Sequence, residues 1–173
     1  RLRALRHARG ETLDAVAAAV GVTASALSTL ERTGQGVSFV ALHALVRHYG
    51  STVSQVSGQE DGSAAVVRAG ARREWPLSVA GVRVEILAEG RRQMDCHRFV
   101  LSPGAASEGA YGHEGEEFIH VLQGRLRMIL DGTEIHELYP GDSLYFESRR
   151  NHAWANADPG ETVLIWVNTP PSF

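Results

Sequence analysis

The chain has 173 residues and no lysine; all seventeen basic residues are arginine. That absence excludes any chemistry that depends on a lysine amine, such as Schiff-base catalysis. Cysteine occurs once, at Cys96, so no internal disulfide can form and a reducing compartment, the cytoplasm, is the expected location. No apolar run approaches the roughly 20 residues of a membrane span, and the opening RLRALRHARG lacks the apolar stretch of a signal peptide, so no membrane partner is expected. Charge is also scarce, with a net value of −3 at neutral pH. It is uneven: residues 1–60 carry six arginines against four acids, and residues 61–173 carry eleven against sixteen. A weakly basic first part followed by an acidic second part allows a nucleic-acid-facing N-terminus without requiring one.

What is present falls into two periods. From Arg1 to about Val56 the apolar spacing is helical. Leu2 and Leu5 mark a first short helix. Thr12 caps a second, whose stripe is Leu13, Val16, Ala17 and Val20, and Gly21 ends it. Thr23 opens a third helix to about Glu31, with Leu27 and Leu30 inward; Ser38 caps a fourth with Leu42, Leu45, Val46 and Tyr49, closed by Gly50. Residues 58–65 are small, polar and aperiodic, the composition of a linker.

From Gly81 onward the period is two: VRVEILAE, CHRFVLS, EEFIHVLQG, RLRMILDG, TEIHELYPG, SLYFES, HAWAN and TVLIWVN are separated by turn residues, among them Asp131-Gly132 as a two-residue hairpin. Val66 and Val67 are expected to start this part as an edge strand. Short strands at regular intervals read as a sandwich or jelly-roll barrel. The fold class is therefore two domains: an all-α bundle over residues 1–57 and an all-β barrel over 66–173.

The chemistry concentrates in YGHEGEEFIHVLQG, Tyr111 to Gly124, where His113 and Glu117 share one face of an extended chain, and in SLYFESRRNHAWAN, which supplies His152. Two histidines and a carboxylate hold a first-row divalent metal on one side and leave other positions open. Glycines 124 and 141 also suit hairpin turns in any barrel, and a cup without metal remains an alternative. On the face of Glu117 lie Ile119 and Val121, on that of His152 lies Trp154, and Arg98 is a candidate to reach a ligand's anion; together these make a mainly apolar pocket with one polar end. Trp154 is equally readable as core, and Arg125 and Arg127 as solvent-facing.

Both blocks resemble the paired motifs of the cupin superfamily. The first fits as His113, Glu117 and Gly124, with Tyr111 where another ligand histidine usually stands; the second fits as Gly141, Glu147, Arg149, His152 and Asn156, with Glu147 and Arg149 replacing the usual Pro and Gly. The resemblance implies His113, Glu117 and His152 as metal ligands, Tyr111 as an optional one, and iron, zinc, nickel or manganese as the ion.

Ala17, Gly21, Leu27 and Leu30, followed by ERTGQGVSFVALHALVRHYG, resemble the helix-turn-helix of lambda-repressor-like domains. In that family the second helix of the motif enters the major groove, which implies Thr23, Ala24, Ser25, Ser28 and Thr29 as base-facing residues, and Thr12, Ser25, Arg9 and Arg32 as phosphate contacts. None of the base-facing set is Arg, Asn or Gln. A bundle kept for packing or dimerisation is the bland alternative.

The domain order is similar to that of bacterial transcriptional regulators with a cupin sensor. This implies a homodimer, a double-stranded DNA operator and a small-molecule effector. It also resembles the non-haem iron 2-hydroxypropylphosphonate epoxidases, which would make His113, Glu117 and His152 iron ligands of an oxygen-using enzyme. That family places a lysine and a strand tyrosine at the substrate; this chain has no lysine, and Gln93 to Val100 contains no tyrosine.

Overall fold

The computed structural model describes residues 2–51, 65–75, 79–89 and 93–171. Helices α1 (Leu2–Ala8), α2 (Leu13–Val20), α3 (Ala24–Thr33) and α4 (Phe39–His48) are followed by a 3₁₀ turn at Ala69–Ala71. Strands β1 (Val82–Ile86), β2 (Asp95–Leu101), β3 (Glu116–Gln123), β4 (Leu126–Leu130), β5 (Glu134–Leu138), β6 (Ser143–Glu147), β7 (His152–Asn156) and β8 (Thr162–Thr169) complete the chain.

The helix boundaries have local causes. The hydroxyls of Thr12, Thr23 and Ser38 accept hydrogen bonds from the amides of Ala15, Ala26 and Ala41 at 3.1, 3.1 and 3.2 Å, satisfying donors that each first turn leaves open. α3 runs two residues past Glu31 and stops where Gly34 takes φ 75°. α2 and α3 meet at 103°, within the range of helix-turn-helix pairs. Val16, Val20, Leu27, Leu30, Leu42, Leu45 and Val46 form the bundle core. A buried ion pair that periodicity does not reveal crosses it: Arg6 Nε and Nη2 donate to the Glu31 carboxylate at 2.7 and 2.9 Å, and Arg6 Nη1 donates to the Glu11 carbonyl at 3.1 Å. The hydrogen bonds to Glu31 raise the Arg6 pKa still further above its ordinary value. No single helix among the described residues is long and apolar enough to cross a membrane.

The strands form two sheets, ordered β1-β2-β8-β3-β6 and β5-β4-β7, with antiparallel pairing throughout. Their inner faces carry Phe99, Leu101, Ile119, Val121, Leu126, Met128, Leu130, Trp154, Leu164 and Trp166. The hairpin between β4 and β5 has three residues, Asp131 to Thr133, between the paired Leu130 and Glu134 and not the two expected; Asp131 and Gly132, at φ 52° and 74°, are both left-handed. The edge strand expected at Val66-Val67 does not form. Val66 is 58% exposed, and the chain first joins the sheet at a bridge between Glu74 and Glu85. The linker expected at 58–65 lies outside the described residues apart from residue 65.

Candidate functional site

His113, Glu117 and His152 come from three segments that the fold ties together. The His113 amide donates to the Ser148 carbonyl at 2.8 Å, the Ser148 amide to the Gly115 carbonyl at 2.8 Å, and Tyr111 and His152 exchange backbone hydrogen bonds of 3.1 and 2.9 Å. Gly115 permits this closeness: at φ 114°, a Cβ there would lie 2.2 Å from the Thr169 carbonyl oxygen. Glu117 then enters β3 opposite Phe146 and Asn168, while His152 opens β7 opposite Leu130.

All three residues are buried, and one ligand atom from each lies within 4.8 Å of the others. His113 Nε2 is 2.5 Å and His152 Nε2 3.6 Å from Glu117 Oε1. The other ring nitrogens fix the tautomers. His113 Nδ1 faces the Glu114 carbonyl at 3.0 Å and His152 Nδ1 faces the Arg150 carbonyl at 2.8 Å. A carbonyl only accepts, so each Nδ1 carries a proton and each ring turns its Nε2 inward. The other oxygen of Glu117 is held by the indole of Trp166, which donates to Oε2 at 2.7 Å. Among the described residues Glu117 Oε1 and His152 Nε2 have no hydrogen-bond partner, and they meet His113 Nε2 at one buried point. The residues fit a divalent cation: two imidazoles and a carboxylate, each oriented from behind by a second hydrogen bond. Burial lowers the His152 pKa against the opposing pull of Glu117, keeping its ring in the neutral, lone-pair-bearing form.

Tyr111, the position of the optional ligand, packs its ring edge-on to His152 with centroids 4.2 Å apart. Burial, with Glu117 adding to it, holds its phenol well above the ordinary range, so it stays protonated. Ile119 and Val121 line the interior with Glu117, and Trp154 lies in the same core, edge-on to Trp166. Arg98 is a correction to the pocket set. In β2 His97 and Phe99 face inward, so the two-residue period turns Arg98 to the other face, where it pairs with Glu85 at 2.8 Å. Arg125 and Arg127 also face away, the former to the Ala157 carbonyl and the latter to Glu137.

Two residues at the cup were not among the expected set. Phe39 and His43 of α4 lie against the barrel, the His43 ring 4.9 Å from Tyr111 and 5.0 Å from His113. Burial, and then His113, push the His43 pKa down to about 3. Their i, i+4 spacing, extended to Arg47, is a second stripe on α4, separate from the one facing the bundle.

In the bundle, Thr23, Ser25 and Ser28 are exposed on α3, Thr29 is half-buried, and Ala24 packs partly against the core. Thr12 and Thr23 spend their hydroxyl oxygens as helix caps, although each O–H can still donate. Arg32 is exposed. Arg9 has another engagement: its guanidinium donates to the carbonyls of His48 and Tyr49, both at 2.7 Å, tying α1 to the end of α4.

Residues 1–59 match a helix-turn-helix domain family and residues 97–168 the cupin domain family. The chain is 25% identical over 178 residues to the HTH-type transcriptional regulator PuuR of Escherichia coli, covering 100% of this chain and 95% of that one. Among solved structures, an HTH_3 family transcriptional regulator from Vibrio cholerae has a TM-score of 0.65 at 21% identity, covering 98% of this chain and 93% of its own. The hydroxypropylphosphonic acid epoxidase from S. wedmorenis has a TM-score of 0.51 at 20% identity, covering 96% and 94%. At these identities the two structures speak to fold alone. Both domains are matched, in this order: the chain joins a helix-turn-helix domain to a cupin domain, and along its whole length it is similar to a helix-turn-helix transcriptional regulator.

Proposed function

We propose that this protein is a cytoplasmic, DNA-binding transcriptional regulator whose cupin cup binds a small-molecule effector with the help of a divalent metal, and which acts as a homodimer on a twofold-symmetric operator. The observation that carries the cup's role is the convergence of His113 Nε2, His152 Nε2 and Glu117 Oε1 at one buried point, with the Nδ1 of each histidine engaged by a backbone carbonyl. His113, Glu117 and His152 hold the ion, Trp166 orients the carboxylate, and Tyr111 walls the cup. A divalent ion bound there acts as a Lewis acid toward an oxygen donor of the effector. In the bundle, Thr23, Ala24, Ser25, Ser28 and Thr29 face the bases while Thr12, Ser25 and Arg32 contact phosphate, with half-sites about one helical turn apart. The helix geometry and the family support this assignment. Arg9 joins the phosphate set only by releasing the α4 carbonyls.

Metal analysis of protein reconstituted with excess Fe(II), Zn(II), Ni(II) or Mn(II) and then desalted tests the cup. One equivalent of one of these ions is expected, and Glu117→Ala is expected to lose it. A wild-type protein that retains none of them overturns the metal. An oxygen-using enzyme would employ the same triad, and oxygen uptake coupled to turnover of a phosphonate, above the free-iron background, is the result that would favour it.

A further inference from the structure

Helix α4 buries two faces. Leu42, Leu45 and Val46 enter the core of its own bundle. Phe39 leaves the bundle and sits among four rings of the barrel: Trp75 lies nearly parallel at 6.3 Å, Trp154 meets it edge-on at 5.3 Å, and Tyr111 and Phe99 are at 5.6 and 6.0 Å. Phe39 is 1% exposed. The cage that holds it adjoins the metal-ligand cluster, because Tyr111 is a wall of both, with its ring 4.2 Å from that of His152. One turn further along α4, His43 lies over Tyr111 and His113, and Arg47 donates to the Gly112 carbonyl at the rim.

We infer that Phe39 is a built-in occupant of the effector site, and that the effector is a compound with a flat apolar ring and an anionic oxygen head. The ring takes the place of Phe39 among Trp75, Phe99, Tyr111 and Trp154, and the head reaches the cluster of His113, Glu117 and His152. The cage is shaped and lined for a ring, since indole and phenol faces hold another ring by edge-to-face and offset contact. Two rings cannot share it, so effector and Phe39 compete. Binding expels Phe39, and α4, which carries His43 and Arg47 on the same stripe, lifts from the barrel mouth. Because α4 also packs in the core of the DNA-binding bundle, occupancy of the cup is read directly by that bundle. A ligand that prefers one of two arrangements shifts their populations, and the wild-type protein binds it more weakly by the fraction of time that Phe39 is out. The ring site stands on the cage alone; the choice of head group rests on the metal reading above.

The test uses the full chain and two probes, toluene for the ring and phenylacetate for ring plus head, followed by ligand-observed NMR and calorimetry. Removing the resident ring opens an apolar cavity of the kind that takes up benzene-sized molecules, so Phe39→Ala is expected to bind toluene at least about tenfold more tightly than wild type, with or without metal. Phe39→Leu, which keeps most of the volume and folds more readily, is expected to show a smaller gain of about threefold. Phe39→Trp keeps a ring in place and is expected to show none. Zn(II) is expected to strengthen phenylacetate binding and leave toluene unchanged. A folded Phe39→Ala or Phe39→Leu protein whose toluene affinity equals that of wild type overturns the inference. Toluene binding that gains as expected, in a protein that takes up no metal, upholds the cage and removes the metal reading instead.

Discussion

Replacing Trp166 by Phe removes one hydrogen bond and little else of the barrel's architecture. The indole donates to Glu117 Oε2 at 2.7 Å, with Trp166 at 0% and Glu117 at 1% exposure, so no water replaces the lost donor. A buried hydrogen bond to a carboxylate contributes about 1.5–3 kcal/mol, and an oriented ligand that loses such support costs about 10–100-fold in metal affinity. The substitution also removes volume, and Trp154→Phe supplies the comparison. Trp154 is equally buried in the same core, at 2%, and does not bond to Glu117, so the two variants share the volume loss and differ in the hydrogen bond. Metal affinity read by competition against a chelator, with urea unfolding of the metal-free proteins alongside, separates the two effects. Trp166→Phe is expected to bind metal at least about tenfold more weakly than Trp154→Phe. Equal affinities in the two variants would refute the idea that the indole positions the carboxylate.

Glu31→Ala leaves the buried Arg6 with the Glu11 carbonyl but no counter-charge, and urea unfolding is expected to report a loss of about 3–5 kcal/mol in the bundle, far more than the small cost of removing a surface acid. His97 lies wholly inside the barrel, where burial lowers its pKa from 6.5 to about 3. Its folded pKa lies below the unfolded one, so the unfolded chain takes the proton first: stability is full above about pH 6.5 and falls toward pH 3 by about 1.4 kcal/mol per unit. His97→Phe is expected to reduce the slope there by about that amount, leaving the share of His43, whose pKa is also about 3, and a curve of unchanged slope would show that His97 does not contribute to it. Gly115→Ala is expected to lose both stability and metal in denaturation and metal-analysis experiments, because its Cβ collides with the Thr169 backbone.

The elements that follow a simple period were legible from the residues alone. All eight strands appear where alternation placed them, β1 stopping three residues early, and the three capped helices start at their Thr or Ser. His113 and Glu117 do meet, but not as two residues of one strand face: His113 precedes β3 across a bend at Gly115 and is placed by its backbone bond to Ser148, while the paired motif brought in His152. The features missed depend on tertiary contact. A pattern of apolar residues assigns one face to a helix, so the second stripe of α4, Phe39 and His43, was invisible until the barrel was present to receive it. Arg98 was drawn into the pocket by its charge, although its inward neighbours His97 and Phe99 already put it on the opposite face. Val66 and Val67 had strand-forming residues but no neighbouring strand, and β propensity without a partner makes no ladder. The Arg6–Glu31 pair joins residues 25 apart, beyond the reach of any local spacing.

The central claim, that the bundle reads DNA and the metal-bearing cup controls it, is tested most directly by selection from random duplexes with purified protein, followed by affinity measurement on the enriched sequence with and without the divalent ion and phenylacetate. The account predicts a twofold-symmetric site, an affinity weakened and made less salt-dependent by Arg32→Ala, a sequence preference altered by Ser25→Ala, and a change of about fivefold or more on adding ion and ligand together. Duplexes that emerge without a shared sequence, or a symmetric site bound equally tightly whether or not the cup is filled, would contradict it.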